Sequence, residues 1–212
     1  MTLADLLEYT RKHVLRDTAK PPMWPDDLVV RYLNEALRRI AAKTHMLVSA
    51  TEELALTTGE RSYELDESIV YVYSVKLDGY DGYLADLTES FIPNNGQNQR
   101  PTCYSTDRET QTISFFAAPD QDYTAIMRVA RLPQTLSEDK LDAEVEIKSM
   151  YELLPADWAA FRCYSNPDAD GFNPGTAAQA KQRWYEGISE IKHDEYRFKT
   201  GHNQRVHGRR VK

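Results

Sequence analysis

Asn166-x-Asp168-x-Asp170-Gly171 has the spacing of the first half of a calcium loop. Such a loop takes oxygen ligands at positions one, three and five and glycine at six. Its twelfth position would be Ala177, where the loop needs a bidentate carboxylate. The alternative is a helix-ending turn whose Asn and Asp side chains bond the backbone, and the missing carboxylate favours it. His13, His45, His193, His202 and His207 show no HExxH or paired ligand spacing, and Cys103 and Cys163 make no CxxC pair. The far-separated cysteines in unlike contexts predict free thiols rather than a disulfide. Carboxylates are plentiful, as in Glu52-Glu53, Glu138-Asp139 and Glu144 with Glu146. A glycosidase-type acid and base would need two of them facing one cleft about 5 to 10 Å apart, which abundance alone does not establish. The nine glycines are scattered over turns and form no phosphate-cradling loop. No catalytic residue, metal or cofactor is expected.

The remaining residues with chemistry to offer are cations. The chain of 212 residues carries a formal charge of -7, but residues 197–212 hold six Lys or Arg and no acid, which leaves -13 on residues 1–196. An acidic body disfavours broad phosphate binding, whereas the basic tail suits nucleic acid or an acidic protein groove. Arg205, Val206, His207, Arg209, Arg210, Val211 and Lys212 are the candidate contact residues. Three readings stay open for them: docking to a partner subunit with the arginines making bidentate contacts, nonspecific DNA contact, or a solubilising end.

The elements that must position these groups follow from periodicity. Val29, Leu33, Ala36, Ile40, Thr44 and Leu47 recur at intervals of three and four, with Arg31, Asn34, Glu35, Arg38, Arg39 and Lys43 opposite. That pattern predicts an amphipathic helix from Pro25 to about Leu47, with Asp26 and Asp27 at its positive end and Lys43 near its negative end. Glu35 is placed to pair with Arg31, Arg38 or Arg39. Before it, Thr2 and Asp5 resemble a capping box, and Leu3, Leu6, Leu7, Val14 and Leu15 predict a first helix ending near Arg16. Pro21-Pro22 forces a turn, so the two helices should form a hairpin with Trp24 packing over the first.

From Ser49 the period becomes that of strands. Leu54 and Leu56, a Thr58-Gly59 turn and Ser62 to Leu65 read as a strand and its return. Ile69 to Leu77 alternates with one slip, and Asp78-Gly79 marks a hairpin. Tyr83-Leu84, Thr102 to Tyr104, Thr112 to Phe116 and Tyr123 to Arg131 complete six or seven short antiparallel strands. Between Ile92 and Pro101 the polar run predicts an exposed loop. Tyr71, Tyr73, Tyr80 and Tyr83 cluster round one hairpin, as a protein interface or as ordinary strand packing. Two further helices follow: one over Tyr151 to Tyr164 that Pro155 starts or kinks, and one from Asn173-Pro174 to about Tyr196.

The expected fold class is therefore α+β: a four-helix bundle built from the N- and C-terminal helix pairs, with an antiparallel β insertion and a basic flexible C-terminal arm. The bundle takes residues 1–48 and 144–196, the β insertion 49–135, an acidic connector 136–143, and the arm 197–212. Met1-Thr2-Leu3-Ala4-Asp5 has no basic leader and no segment approaches a membrane span, so a soluble, unexported protein is expected.

That element order, and several motifs, resemble the head-to-tail adaptor (connector or neck) proteins of tailed bacteriophages. Trp24-Pro25-Asp26-Asp27-Leu28-Val29-Val30-Arg31-Tyr32-Leu33-Asn34-Glu35-Ala36 is similar to the family's W-[SP]-D-x-x-L-x-x-Y-L-N-E-A type of signature. The likeness continues in Leu56 to Leu65, Val75 to Gly79, Phe115 to Asp120 and Asp157 to Asp170, with Pro155 a departure. The resemblance implies a non-enzymatic ring of identical subunits, typically twelve, below the portal protein and above the tail or nozzle proteins. It implies a C-terminal arm engaging the portal, viral DNA passing without specific binding, and a place in the virion after assembly in host cytoplasm, with no membrane contact. An acidic ring would let duplex slide without sticking. The rival classes are a virion-associated cell-wall hydrolase with a carboxylate pair, and a nucleic-acid-binding protein acting through the tail.

Overall fold

Apolar residues at helical spacing near both ends and at strand spacing between them give two compact units in the computed structural model. Residues 1–88, 97–167 and 170–203 are described, without the side chains of 197–203. One unit is Met1–Met46 with Pro133–Lys212, and the other is Leu47–Leu132.

In the first unit α1 is Leu3–Tyr9, opened by a reciprocal capping box between Thr2 and Asp5 and continued by a π-helical turn, Thr10–Leu15. Arg16 in the left-handed conformation ends it. Helix α2, Asp26–Thr44, has Asp26 and Asp27 in its first turn, Lys43 in its last, and a left-handed His45 as its stop, short of Leu47. A 3₁₀ turn, Ser149–Tyr151, leads to α3, Leu154–Tyr164, with Pro155 in its first turn, where a missing amide hydrogen costs nothing. Helix α4, Pro174–Asn203, starts where the Asn173 side chain accepts from the Thr176 amide, and runs past Tyr196.

The expected four-helix bundle is not what forms, although the class is mixed α+β, with seven strands in two sheets among the described residues. Helices α2, α3 and α4 pack on one another, whereas the α-helical part of the first stretch ends at Tyr9 and a π turn carries it to Leu15. Its place in the core is shared by non-helical chain: Leu136 and Val145 are buried in the same apolar cluster as Leu3, Leu6, Leu33 and Ala159. Ala143 and Leu141 accept from the amides of Leu3 and Ala4, which uses the open N-terminus of α1.

In the second unit, strands β1 (Val48–Leu56), β7 (Tyr123–Arg131) and β3 (Ile69–Leu77) form one sheet in the order β1-β7-β3. Strands β2 (Ser62–Glu64), β6 (Thr112–Phe116), β5 (Cys103–Asp107) and β4 (Ala85–Asp86) form the other, in the order β2-β6-β5-β4. All pairings are antiparallel except β4 with β5. One apolar cluster joins both sheets, with Val72, Val75, Met127 and Val129 from the first and Ile113, Phe115 and Tyr104 from the second. The strand and return expected around Thr58-Gly59 do not pair with each other. Gly59, at φ 81°, donates to the Pro119 carbonyl and Asp122 accepts from the Thr58 amide, so the turn is tied to the β6–β7 connection and β2 crosses to the second sheet. The irregular alternation of Ile69 to Leu77 corresponds to two register shifts, between Ile69 and Tyr71 and between Val72 and Ser74. Together they bury Ile69, Val72, Val75 and Leu77 and leave Val70 at the margin.

Candidate functional site

The corner between α1 and α2 fixes most of the conspicuous residues of the Trp24-to-Ala36 stretch. Trp24 is buried, with its ring edge-on to Tyr164 at a centroid distance of 5.2 Å. Asp17, itself buried, accepts from the amides of Met23 and Trp24 and pairs with Arg11 at 3.1 Å. Arg11 also holds Asp26 and the Trp24 carbonyl, so one guanidinium closes the corner. Asn34 both donates to the Leu136 carbonyl and accepts from the Leu136 amide, each at 2.8 Å, pinning the segment after Pro133 to α2. The bonded groups of this stretch therefore do structural work, closing the corner and fixing the segment after Pro133.

Along the solvent face of α2, Arg31, Glu35, Arg38 and Arg39 line a groove of about 620 Å³ with Tyr32, Asn34, Thr135 and Arg162. Residues 31, 35, 38 and 39 lie on one face because a helix turns every 3.6 residues. Glu35 accepts from Arg39 at 2.9 Å and from Arg162 at 3.4 Å. The Arg39 guanidinium lies 4.5 Å from the Trp158 ring centre, while Arg31 and Arg162 lie 5.6 and 5.1 Å from that of Tyr32. Arg38 donates to the Thr135 hydroxyl. Among the described residues Arg31 and Arg38 face no carboxylate. The groove thus holds four cations and one acid on an acidic chain. Sequence spacing marks Arg31, Arg38 and Arg39 as one face, but the arrival of Arg162 from α3 has no local signal.

A second groove, of about 290 Å³, carries the carboxylates Glu152, Asp157 and Glu190. Burial raises the Asp157 pKa against the opposing pull of Arg183, which donates to it at 2.7 Å. Glu152 lies 3.8 Å from the N-terminal ammonium. Two of the three are thus paired with cations, an arrangement unlike a free acid and base sharing one substrate.

The residues expected to contact a partner, Arg205, Val206, His207, Arg209, Arg210, Val211 and Lys212, lie outside the described residues. So does Asp168 of the calcium-like spacing. Gly171 of that spacing has a packing role: a Cβ there would stand 2.4 Å from the Trp24 ring. Among the described residues no three His, Cys, Asp or Glu gather to hold a metal, and no helix is long and apolar enough to cross a membrane. Both cysteines are free, and burial pushes the Cys163 thiol up to about 12. Of the clustered tyrosines, Tyr71 and Tyr73 stack edge-on with Arg108 and Arg128 over them, whereas Tyr83 is 73% exposed.

The signature residues of this mixed α+β chain serve its corner and its packing. The sequence profile described as SU10 adaptor protein matches residues 1–206, so the chain belongs to that family of phage head-to-tail adaptors. No curated protein matches it significantly. Membership carries a structural role as a phage adaptor, contacts with other head and tail proteins, and a place in the virion.

Proposed function

We propose that this chain forms a ring under the portal, joins the portal to the tail or nozzle proteins, and continues the DNA channel without enzymatic activity. The observation that carries the reading is the family match over residues 1–206. In this reading the helical parts, 1–48 and 144–196, build the ring wall, with the acidic 136–143 beside them. The β part, 49–135, reaches to neighbours or tail. The basic arm, 197–212, orders on an acidic or carbonyl-rich groove of the portal through Arg205, Val206, His207, Arg209, Arg210, Val211 and Lys212. The acidic residues 1–196 let duplex pass without sticking.

Light scattering on the purified protein, alone and mixed with a portal ring from the same virion, tests this. The expected outcome is one stoichiometric ring complex. A protein that never joins the portal at any salt concentration would remove the reading and make an assay of cell-wall hydrolysis the next step. Removing the residues after Gly201 should leave a folded chain that no longer docks.

A further inference from the structure

We infer that the arginine groove on α2 is the docking site for a second copy of this chain, which seats its exposed acidic segment 138–144 there head to tail. The inference rests on the ring reading and names the surfaces that close it. The groove presents Arg31, Arg38, Arg39 and Arg162 against the single carboxylate of Glu35, an excess of three positive charges. Segment 138–144 presents Glu138, Asp139, Asp142 and Glu144, all exposed, against Lys140, an excess of three negative charges. The two surfaces are therefore opposite in sign and equal in net charge.

The groove is also prepared for such a guest. Arg39 and Arg162 are held by Glu35 and rest on aromatic rings, so little side-chain freedom remains to be lost when a carboxylate arrives. Arg31 and Arg38, without a carboxylate of their own, supply free donors for bidentate contacts. The acidic segment cannot turn back into its own groove. Asn34 pins it at Leu136, and the Leu3 and Ala4 amides hold it at Ala143 and Leu141, so of this stretch only Thr135 lines the groove. A groove on one patch and its complement on another make a heterologous contact, the kind that propagates round a ring. Duplex DNA fits less well, because Glu35 lies within the groove and the chain as a whole is negative.

Charge exchange in the full-length chain, with complex formation on the portal ring measured by light scattering, tests the inference. Arg31→Glu with Arg38→Glu reverses the groove, and Glu138→Lys with Asp142→Lys reverses the segment. These four side chains are exposed and bear no ion pair among the described residues, so the Tm should hold. Each reversed chain should lose about tenfold or more in apparent affinity for the ring complex. A chain carrying both reversals, or an equimolar mixture of the two reversed chains, should regain it. Reversed chains that assemble like the wild type would overturn the inference and leave the adaptor reading standing. Losses with no recovery in either the doubly reversed chain or the mixture would overturn it as well. Retardation of duplex DNA by the wild type, abolished by the groove reversal alone, would assign the groove to phosphates instead. A wild type that forms no complex with portal would remove the adaptor reading and this inference together.

Discussion

Gly171 and Trp24 are far apart in sequence and meet in the helical unit, where a methyl group on the glycine would strike a rigid buried indole. Gly171→Ala should therefore destabilise by about 1–3 kcal/mol, as overpacking does, read from the urea midpoint. An unchanged midpoint would mean that the loop carrying Gly171 yields easily. Asn34 reaches Leu136 with both ends of its amide, so Asn34→Ala leaves two backbone groups to find new partners. The expected loss is about 1–3 kcal/mol. Burial holds the Cys163 thiol near a pKa of about 12. At pH 8 only roughly one molecule in ten thousand would carry the reactive thiolate, so native Cys163 should resist a disulfide reagent that modifies it at once in denaturant.

Strand β7 lies between β1 and β3 and buries Tyr123, Ala125, Met127, Val129 and Ala130, while β1 is an edge whose Val48 is 44% exposed. Met127→Ala should cost about 2–5 kcal/mol by loss of packing and creation of a cavity. Val48→Ala should stay within about 0.5 kcal/mol. Equal effects would place the mechanical centre of the sheet elsewhere. The helices were legible at this scale because their signals are local: the Thr2–Asp5 box, the acids opening α2, Pro155 at the start of α3, and Asn173 before α4. Strand pairing was not legible. A turn such as Thr58-Gly59 specifies a reversal of the chain, but not which strand receives the next one, and Asp122 and Pro119 decided that from a distance.

Across the whole molecule, exposed carboxylates at turns and caps are held below their ordinary range by hydrogen bonds. Asp5 is lowered by the Thr2 hydroxyl, Asp66 by Ser68, Asp107 by the Glu109 amide and Asp122 by the Thr58 amide. A depressed folded-state pKa adds stability above the unfolded value of 3.8, and that stability is lost as pH falls through the folded value. The Tm should therefore be level near neutrality and fall below about pH 4. Asp122→Asn should flatten part of that fall; a profile identical to the wild type would show that the Thr58 bonds do not discriminate between the ionised and neutral forms.

The sequence by itself determined where α1, α2 and α4 start, the mixed α+β class, the acidic character of residues 1–196 and the resemblance that the family match upheld. Each depends on residues within a turn or two of one another, or on composition. Only the tertiary structure decided that a π turn continues α1 and that Leu136 and Val145 share its apolar cluster, that the strands divide into two sheets, and that Arg162 joins Arg31, Arg38 and Arg39 in one groove. Those outcomes turn on which apolar surfaces bury one another and on contacts between residues about a hundred positions apart, such as Asn34 with Leu136. Local periodicity reports which face of an element is apolar, but the partner for that face is chosen by packing.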